Sequence, residues 1–599
     1  MTRLLRYGFS VSAHSIITAL ALAALQAAAL VSMLYATGKV VGALSLMPAN
    51  PGTGLPVLAP ALLLGVAFVL NVALSPILVT ILSDVVNRVT ESVAAELARA
   101  GIEPPTTAHL DDPAFAAERQ RARGLYGFDI SVGVRTSIQT LAKIASAVLL
   151  TLLIGDVYSW SVGLAALAST LAVNWYLTRT FSRQTAVWNR QTDEQLRYDY
   201  TFWLALQAAA KEVRTFGLRD LFLQRYLADW SAMMQRLWRG RQRELLRTSG
   251  VMAVHVAVIG TLCVLCVTAA TGGHLAAAAV TVALAALIAL AGTQAGIDPL
   301  LIARGATALE ALNHVRQISR DSVPGAVGAS PAAAPLCRRS IVFDSVCFGY
   351  PGSASDVLHD FNLEITAGER VAFVGENGAG KSTFVKLLAG CYRPDSGRVL
   401  IDGIDLATLP ADQLARWQRC VSAVVDDFMK LPLTARWNVE MPSQAGSWDD
   451  ARLAAVAGRT GIADVISGLP GGWNTTLDPD QKGGVDLSGG QWLKLALARA
   501  VYAVNAGATV LVLDEPASVL DVRAEAELIR QYLDLTSGMT SLVISHRLSV
   551  VRDVRRICVV RRGRIIEDGS HDELIRLSGE YAQMFEFQAE SYTDEAGSP

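Results

Sequence analysis

Residues Gly375-Glu-Asn-Gly-Ala-Gly-Lys-Ser382 constrain this chain more than any other stretch. They fit G-x-x-x-x-G-K-[ST], the loop that holds nucleotide phosphates. An apolar, strand-like run, Arg370–Val374, precedes them, and a helical pattern, Thr383–Leu388, follows. The glycines let backbone N–H groups close around phosphate, and the helix N-terminus adds a favourable partial charge. The expected cradle is Gly375, Glu376, Asn377, Gly378, Ala379, Gly380, Lys381, Ser382 and Thr383. Within it Lys381 is placed for the β- and γ-phosphates and Ser382 as an oxygen ligand of Mg²⁺. A Gly-rich turn with a surface lysine would need neither the strand nor the helix. The chain is therefore expected to bind ATP or GTP.

The first half of the chain points to a different solvent. Hydrophobic residues make up 52% of the sequence and charged ones 18%, and the imbalance lies before the phosphate loop. Six runs are long enough for a bilayer, which takes about 20 residues each: Ile16–Thr37, Val57–Ile81, Ser137–Ile154, Tyr158–Leu177, Gly250–Ala270 and Leu275–Ala295. The two long connectors carry Arg88, Arg99, Arg119, Arg121 and Arg123, then Arg183, Arg190, Arg197, Lys211 and Arg214 onward, whereas the short connectors are nearly free of Lys and Arg. By the positive-inside rule the basic connectors are cytoplasmic. Six spans then return the C-terminal half to the cytoplasm, where ATP is. Arg3 and Arg6 before the first run also fit a signal peptide, but cleavage would strand the nucleotide site outside, so the first span is expected to be kept. The net charge of −2 gives no sign of nucleic-acid binding. Cys263 and Cys266 lie inside a span with no second pair, and no cysteine is given a metal or redox role.

The expected organisation is an all-α, six-helix transmembrane domain over residues 1–320 with long cytoplasmic helix extensions, then a linker at 321–336. An α/β nucleotide-binding domain follows at 337–588, with a polar tail at 589–599. Val323–Pro335 is rich in small residues and Pro, which marks the linker. Asp112-Pro113 reads as the capped start of a short helix.

Further motifs follow in a fixed order. Leu487-Ser-Gly-Gly-Gln491 precedes a helical run; Val510–Leu513 ends in Asp514-Glu515; Ser518-Val-Leu-Asp521 comes next; and His546 follows Ser541–Ile544. Together these resemble the ATPase of ATP-binding cassette (ABC) transporters over about Arg338–Gln588, and six spans ahead of one cassette resemble the exporter half-transporters. The resemblance implies ATP and Mg²⁺ as cofactors. Asp514, like Ser382, is expected at the metal; Glu515 orients or deprotonates the attacking water; His546 contacts the γ-phosphate; and Tyr350 stacks on adenine. It also implies that Ser488, Gly489, Gly490 and Gln491, with Asp521, face ATP held by a second cassette. A dimer with a second half-transporter, identical or not, is therefore expected.

One departure matters. The family usually has Gln where this chain has Asp426, a shorter and charged side chain that can still ligate Mg²⁺. Asp112–Gly124 and about Phe202–Phe216 are the candidate coupling elements, the intracellular turns that press on the cassettes. The spans are mainly Ala, Leu and Val, with Lys143, His255, Asn71 and Gln294 as polar exceptions. The expected function is ATP-driven export of an amphiphilic or hydrophobic substrate, a modified peptide or secondary metabolite, across a bacterial cytoplasmic membrane. The segment Ala423–Val439 resembles, more loosely, peptidase-free exporters of peptide natural products. A lipid or multidrug exporter is the alternative, and an ATP-gated regulator or channel the alternative of another class.

Overall fold

The computed structural model describes residues 1–599 apart from 47–54, 125–126, 190–209, 274, 295, 324–334, 354, 426, 442–448, 516–529, 531–533, 535–536 and 597–599. Two compact units emerge. One comprises Met1–Arg99 and Ala117–Arg316, the other Ala100–Ala116 and Gln317–Pro599. The second unit thus takes in an excursion from the helical half of the chain.

Among the described residues the first unit forms helices and no strand. Thr2–Leu46, Leu55–Ile102, Asp129–Val157, Trp160–Asn189 and Arg219–Thr271 carry the first five apolar runs. Among the described residues these five are long and apolar enough to cross a membrane. Leu55–Ile102 and Arg219–Thr271, of 48 and 53 residues, extend well beyond a bilayer's thickness, as the basic connectors suggested. The sixth run differs from the expectation of one continuous span. It forms a 15-residue helix, Ala277–Ala291, and a new helix starts at Asp298 and runs to Asp321. Gly292, Gly296 at φ +51° and Pro299 explain the break, since glycine accepts non-helical backbone and proline lacks a donor.

Two of the polar exceptions inside these helices, Lys143 and His255, have partners. Lys143 Nζ donates to Asp298 Oδ2 at 2.5 Å and lies 3.5 Å from the Gln294 carbonyl oxygen. The buried His255 holds Ser169 Oγ at 2.8 Å through Nδ1. Neither therefore needs to snorkel to a headgroup layer.

The second unit holds two sheets. A four-stranded antiparallel sheet has the order β2-β1-β4-β5, with β1 Ser340–Phe348, β2 Leu358–Thr366, β4 Ser396–Ile401 and β5 Ile404–Asp405. A six-stranded sheet has the order β10-β9-β3-β8-β7-β6. In it β3 is Arg370–Val374, β6 Val421–Val425, β7 Val510–Asp514, β8 Thr540–Ile544, β9 Arg556–Arg561 and β10 Arg564–Gly569. Strands β6, β7, β8, β3 and β9 run parallel, and β10 is antiparallel to β9. Alternate residues enter different cores: Val371, Phe373, Val512 and Ile544 one, Ala372, Val374, Leu513 and Val543 the other. Burial on both faces is why these strands are continuously apolar rather than alternating.

Candidate functional site

Register brings the motifs together. Phe373 pairs with Ile544, Ile544 with Asp514, and Asp514 with Val425. The residues that follow β3, β7 and β8, the phosphate loop, Glu515 and His546, therefore leave from one edge, at the carboxyl ends where α/β sheets bind ligands.

The phosphate loop is shaped by its glycines. Gly375 sits at φ +147°, and a Cβ there would meet the Val560 carbonyl oxygen at 2.1 Å. Gly380, at φ +104°, caps the helix Lys381–Leu388 and a Cβ would meet Leu358 at 2.7 Å. Only glycine fits both. Lys381 is buried and folds back across the loop, donating to the carbonyl oxygens of Gly375 at 2.7 Å and Glu376 at 3.0 Å. Burial pulls its ammonium below the usual lysine range, and the carboxylates of Glu515 and Asp514 oppose that shift. Ser382 is exposed at the first turn, while Thr383 is buried.

Glu515 is the hub of the polar cluster. One carboxylate oxygen lies 3.9 Å from Lys381 Nζ, the other 3.3 Å from His546 Nδ1. Its backbone is at φ +46°, a conformation rare outside glycine, and its N–H donates to the Ile544 carbonyl at 3.0 Å. Backbone held in a sparsely populated region is a mark of functional sites. Asp514 is buried at the end of β7. Ser488, Gly489, Gly490 and Gln491 open the helix Gly489–Asn505 with a reciprocal capping box between Ser488 and Gln491. Among the described residues no hydrogen bond or ion pair joins them to the phosphate loop. Asp426 and Asp521 lie outside the described residues.

Tyr350 lies over the outer side of the phosphate-loop helix. Its hydroxyl is 3.1 Å from Thr383 Oγ1 and accepts from Lys386 Nζ at 3.2 Å. Its ring meets Phe348 and Tyr392 edge-on, with centroids 5.2 and 5.4 Å apart. A cleft of about 490 Å³ opens beside it, lined by Tyr392, Arg393, Asp356 and Thr106 among others.

Three elements were not foreseen. Arg499, in the helix Gly489–Asn505, holds the Asn438 carbonyl oxygen at 2.7 Å, Asn438 Oδ1 at 2.9 Å and the Met429 carbonyl oxygen at 3.2 Å. It ties the stretch Met429–Asn438 to that helix. Gln588 brackets the His546 turn, donating to the His546 carbonyl oxygen at 2.6 Å and accepting from Leu548 N at 2.9 Å. Both are isolated polar residues in the sequence, without a motif to flag them.

The third element lies in the first connector. Its stretch Pro105–Asp111 packs on the cassette, just ahead of the candidate Asp112–Gly124, of which Asp112–Ala116 falls in the same unit. Gln418 donates to the Pro105 carbonyl oxygen at 2.6 Å, Thr107 N–H donates to the Cys391 carbonyl oxygen at 2.8 Å, and Tyr392 donates to Asp111. Pro104 and Pro105 end the long helix and only a 3₁₀ turn, Ala108–Leu110, follows, which leaves the backbone groups ahead of it free to bond elsewhere. Asp112 instead caps the helix Pro113–Arg123, as the sequence suggested, accepting from Ala114 N at 2.8 Å. Burial, then the bond to Asp111, pushes the Tyr392 phenol up to about 12, so it stays a donor at neutral pH. Of the second coupling candidate, Phe202–Phe216, residues up to 209 lie outside the described ones and Ala210–Thr215 forms a short helix.

Comparison with known proteins agrees with this geometry. The family model for the ABC transporter domain matches residues 358–518. The chain is 36% identical over 265 residues to the ATP-dependent lipid A-core flippase of Chromobacterium violaceum, covering 44% of each chain. It is 33% identical over 250 residues to the nisin transport ATP-binding protein NisT of Lactococcus lactis, covering 42% of this chain and 40% of that one. The match thus spans less than half the length of these curated relatives. A solved structure of a bacterial Atm1-family ABC exporter with ATP bound superposes with a TM-score of 0.75 at 25% identity, over 97% of this chain and all of that one. Residues 358–518 thus carry an ABC transporter domain, and the chain as a whole has the fold of an exporter-type half-transporter, one unit of apolar helices joined to one ATP-binding cassette.

Proposed function

We propose that the chain is an ATP-driven exporter that works as a dimer of half-transporters in a bacterial inner membrane. The observation that carries this reading is the Glu515 carboxylate, held between Lys381 and His546 at the edge where β3, β7 and β8 end. A carboxylate so placed accepts a proton from, or orients, a water directed at the γ-phosphate. His546 is placed to bond that phosphate, and Lys381 exchanges its carbonyl partners for phosphate oxygens. Tyr350 offers its ring to adenine. The Ser382 hydroxyl and the Asp514 carboxylate are hard oxygen donors and suit Mg²⁺, which takes one or two protein carboxylates beside substrate phosphates. When bound, Mg²⁺ neutralises charge on the phosphates. Ser488 and the amides of Gly489 and Gly490, at a helix N-terminus, suit a γ-phosphate; in the dimer that phosphate belongs to ATP held by the second cassette. Asp521 belongs to the same face in this reading, and Asp426 stands beside the metal.

The cargo we propose is an amphiphile, foremost a modified peptide. Lys143 and His255 are paired inside the helix bundle, so the spans present mainly apolar surface. The relative named for nisin transport supports a peptide; the one named as a lipid A-core flippase supports a lipid as the second reading.

The test is ATP hydrolysis by the full chain in lipid nanodiscs beside Glu515→Gln. Removing a general base lowers turnover by about 10²-fold or more, while ATP binding stays. Equal rates in the two samples would overturn the assignment of Glu515. Stimulation by amphiphilic peptides rather than lipids then separates the two cargo readings.

A further inference from the structure

Tyr392 lies between Tyr350 and the Pro105–Asp111 segment. Its ring touches Tyr350 edge-on, and its hydroxyl donates to Asp111 of the Pro105–Asp111 segment. The Lys386 ammonium lies 4.9 Å from the Tyr350 ring centroid and 5.9 Å from that of Tyr392, so one cation bridges both rings. Tyr392 is buried, and its backbone neighbour Cys391 accepts the Thr107 amide. Tyr350, Lys386, Tyr392 and Asp111 thus form an unbroken chain of contacts from the adenine face to a segment that this unit takes in from the helical half of the chain.

His109 of this segment is 4% exposed, and among the described residues neither ring nitrogen has a hydrogen-bond partner; its ring meets Phe115 edge-on at 5.0 Å. A buried polar ring left unsatisfied favours a change that would give it a partner. The bonds that oppose such a change are few: Pro105 to Gln418, Thr107 to Cys391, Thr106 to the Ser322 carbonyl, and Asp111 to Tyr392. The bond to Asp111 is charge-assisted and the strongest of these in kind.

We propose that the Tyr392–Asp111 bond is a latch through which occupancy of the Tyr350 face is reported to the Pro105–Asp111 segment. The proposal rests on the reading of Tyr350 as the adenine platform. A purine stacked on Tyr350 takes up ring surface shared with Lys386, and both rings under that cation readjust. Tyr392 cannot shift without changing its bond to Asp111, because that bond fixes the end of its side chain. Tyr392 is a positioning residue here; it touches neither the phosphates nor the attacking water.

The experiment is amide hydrogen exchange on the full chain in lipid nanodiscs, in a Glu515→Gln background, with and without Mg-ATP. It is read on peptides covering residues 104–112, and ATP affinity is measured on the same samples. ATP is expected to change exchange of the Thr107 amide by about tenfold, the scale of one charge-assisted hydrogen bond. In Tyr392→Phe, which keeps the ring and loses only the hydroxyl, the ATP-dependent change should fall below about twofold while ATP affinity stays within about twofold. Asp111→Asn, which keeps an acceptor oxygen, should restore part of the response that Asp111→Ala loses. A full ATP-dependent change in Tyr392→Phe, with ATP bound, overturns the latch. ATP affinity that is unchanged in Tyr350→Ala overturns the adenine platform instead, and the two failures are thereby distinct.

Discussion

Replacing Arg499 by Met should destabilise the cassette more than any other surface-reaching substitution outside the phosphate loop. The guanidinium makes two bonds to Asn438, through Nε and Nη2, and a forked contact with the Met429 carbonyl. The contacts with Met429 are solvent-exposed and contribute little. The bonds to Asn438 are partly buried, and Asn438 itself has no exposed surface. Its amide is already committed to the Leu431, Leu433 and Thr434 carbonyls, so it cannot turn to find other partners. A hydrogen bond to a charged group is worth about 1.5–3 kcal/mol, and a stranded acceptor costs on the order of 1–3 kcal/mol. Against this, removing the guanidinium recovers its own desolvation, which burial already expresses by lowering its pKa. The bonds win, by about 2–3 kcal/mol net. For a domain of this size that is roughly 4–12 °C in Tm. The assay is intrinsic-fluorescence melting of the full chain in nanodiscs. Arg499→Lys is the control: it keeps the charge and reaches one acceptor at best, so it should recover no more than about half. An Arg499→Met chain melting within about 1 °C of the parent would refute the clamp.

Three further outcomes follow from the same geometry. Gly375→Ala places a Cβ 2.1 Å from the Val560 carbonyl oxygen; backbone strain of about 2–3 kcal/mol should weaken ATP binding roughly 30- to 150-fold, read by equilibrium titration with a fluorescent ATP analogue. Gln588→Ala frees the turn that carries His546, so turnover should fall by about 3- to 10-fold with ATP affinity within about twofold, visible in steady-state kinetics. Lys143→Met strands the Asp298 carboxylate, and the double variant with Asp298→Leu should recover at least about half of the lost thermal stability, because an unpaired charge is worse than none.

Much of the cassette was legible because its chemistry is local. A phosphate loop needs its glycines, lysine and hydroxyl within eight consecutive positions, and strands buried on both faces announce themselves as short aliphatic runs. The adjacency of Glu515, His546 and Lys381 could be read only through the family resemblance, since their positions in the chain say nothing about which strands are neighbours. The docked stretch Pro105–Asp111 was missed because its contacts are mostly backbone bonds, to which side-chain patterning is blind. The capped helix beside it, Pro113–Arg123, carried the clearer sequence signal. The sixth run shows the opposite fault. Hydropathy carries it from Leu275 to Ala295, whereas the helix stops at Ala291 and Gly292 was the available sign of that stop.

The phosphate-loop helix offers the physical reason to look for communication along its flank rather than through its core. Lys381–Leu388 has eight residues, about 12 Å at 1.5 Å per residue. One end holds the phosphate cradle; just beyond the other, Cys391 accepts the amide of Thr107. The helix itself is clamped: Phe384 packs among Phe343, Phe361 and Phe373, and the buried Trp417 donates its indole N–H to the Leu388 carbonyl at 2.7 Å. Close-packed aromatic cores switch between discrete arrangements rather than bending smoothly, so a phosphate arriving at the N-terminus has little to push along the axis. Lys386, on the exposed side of the same helix, is free of that core and already touches both tyrosines. A signal that must cross these 12 Å, about two turns of helix, therefore meets less resistance through Tyr350 and Tyr392 than through the helix they lean on.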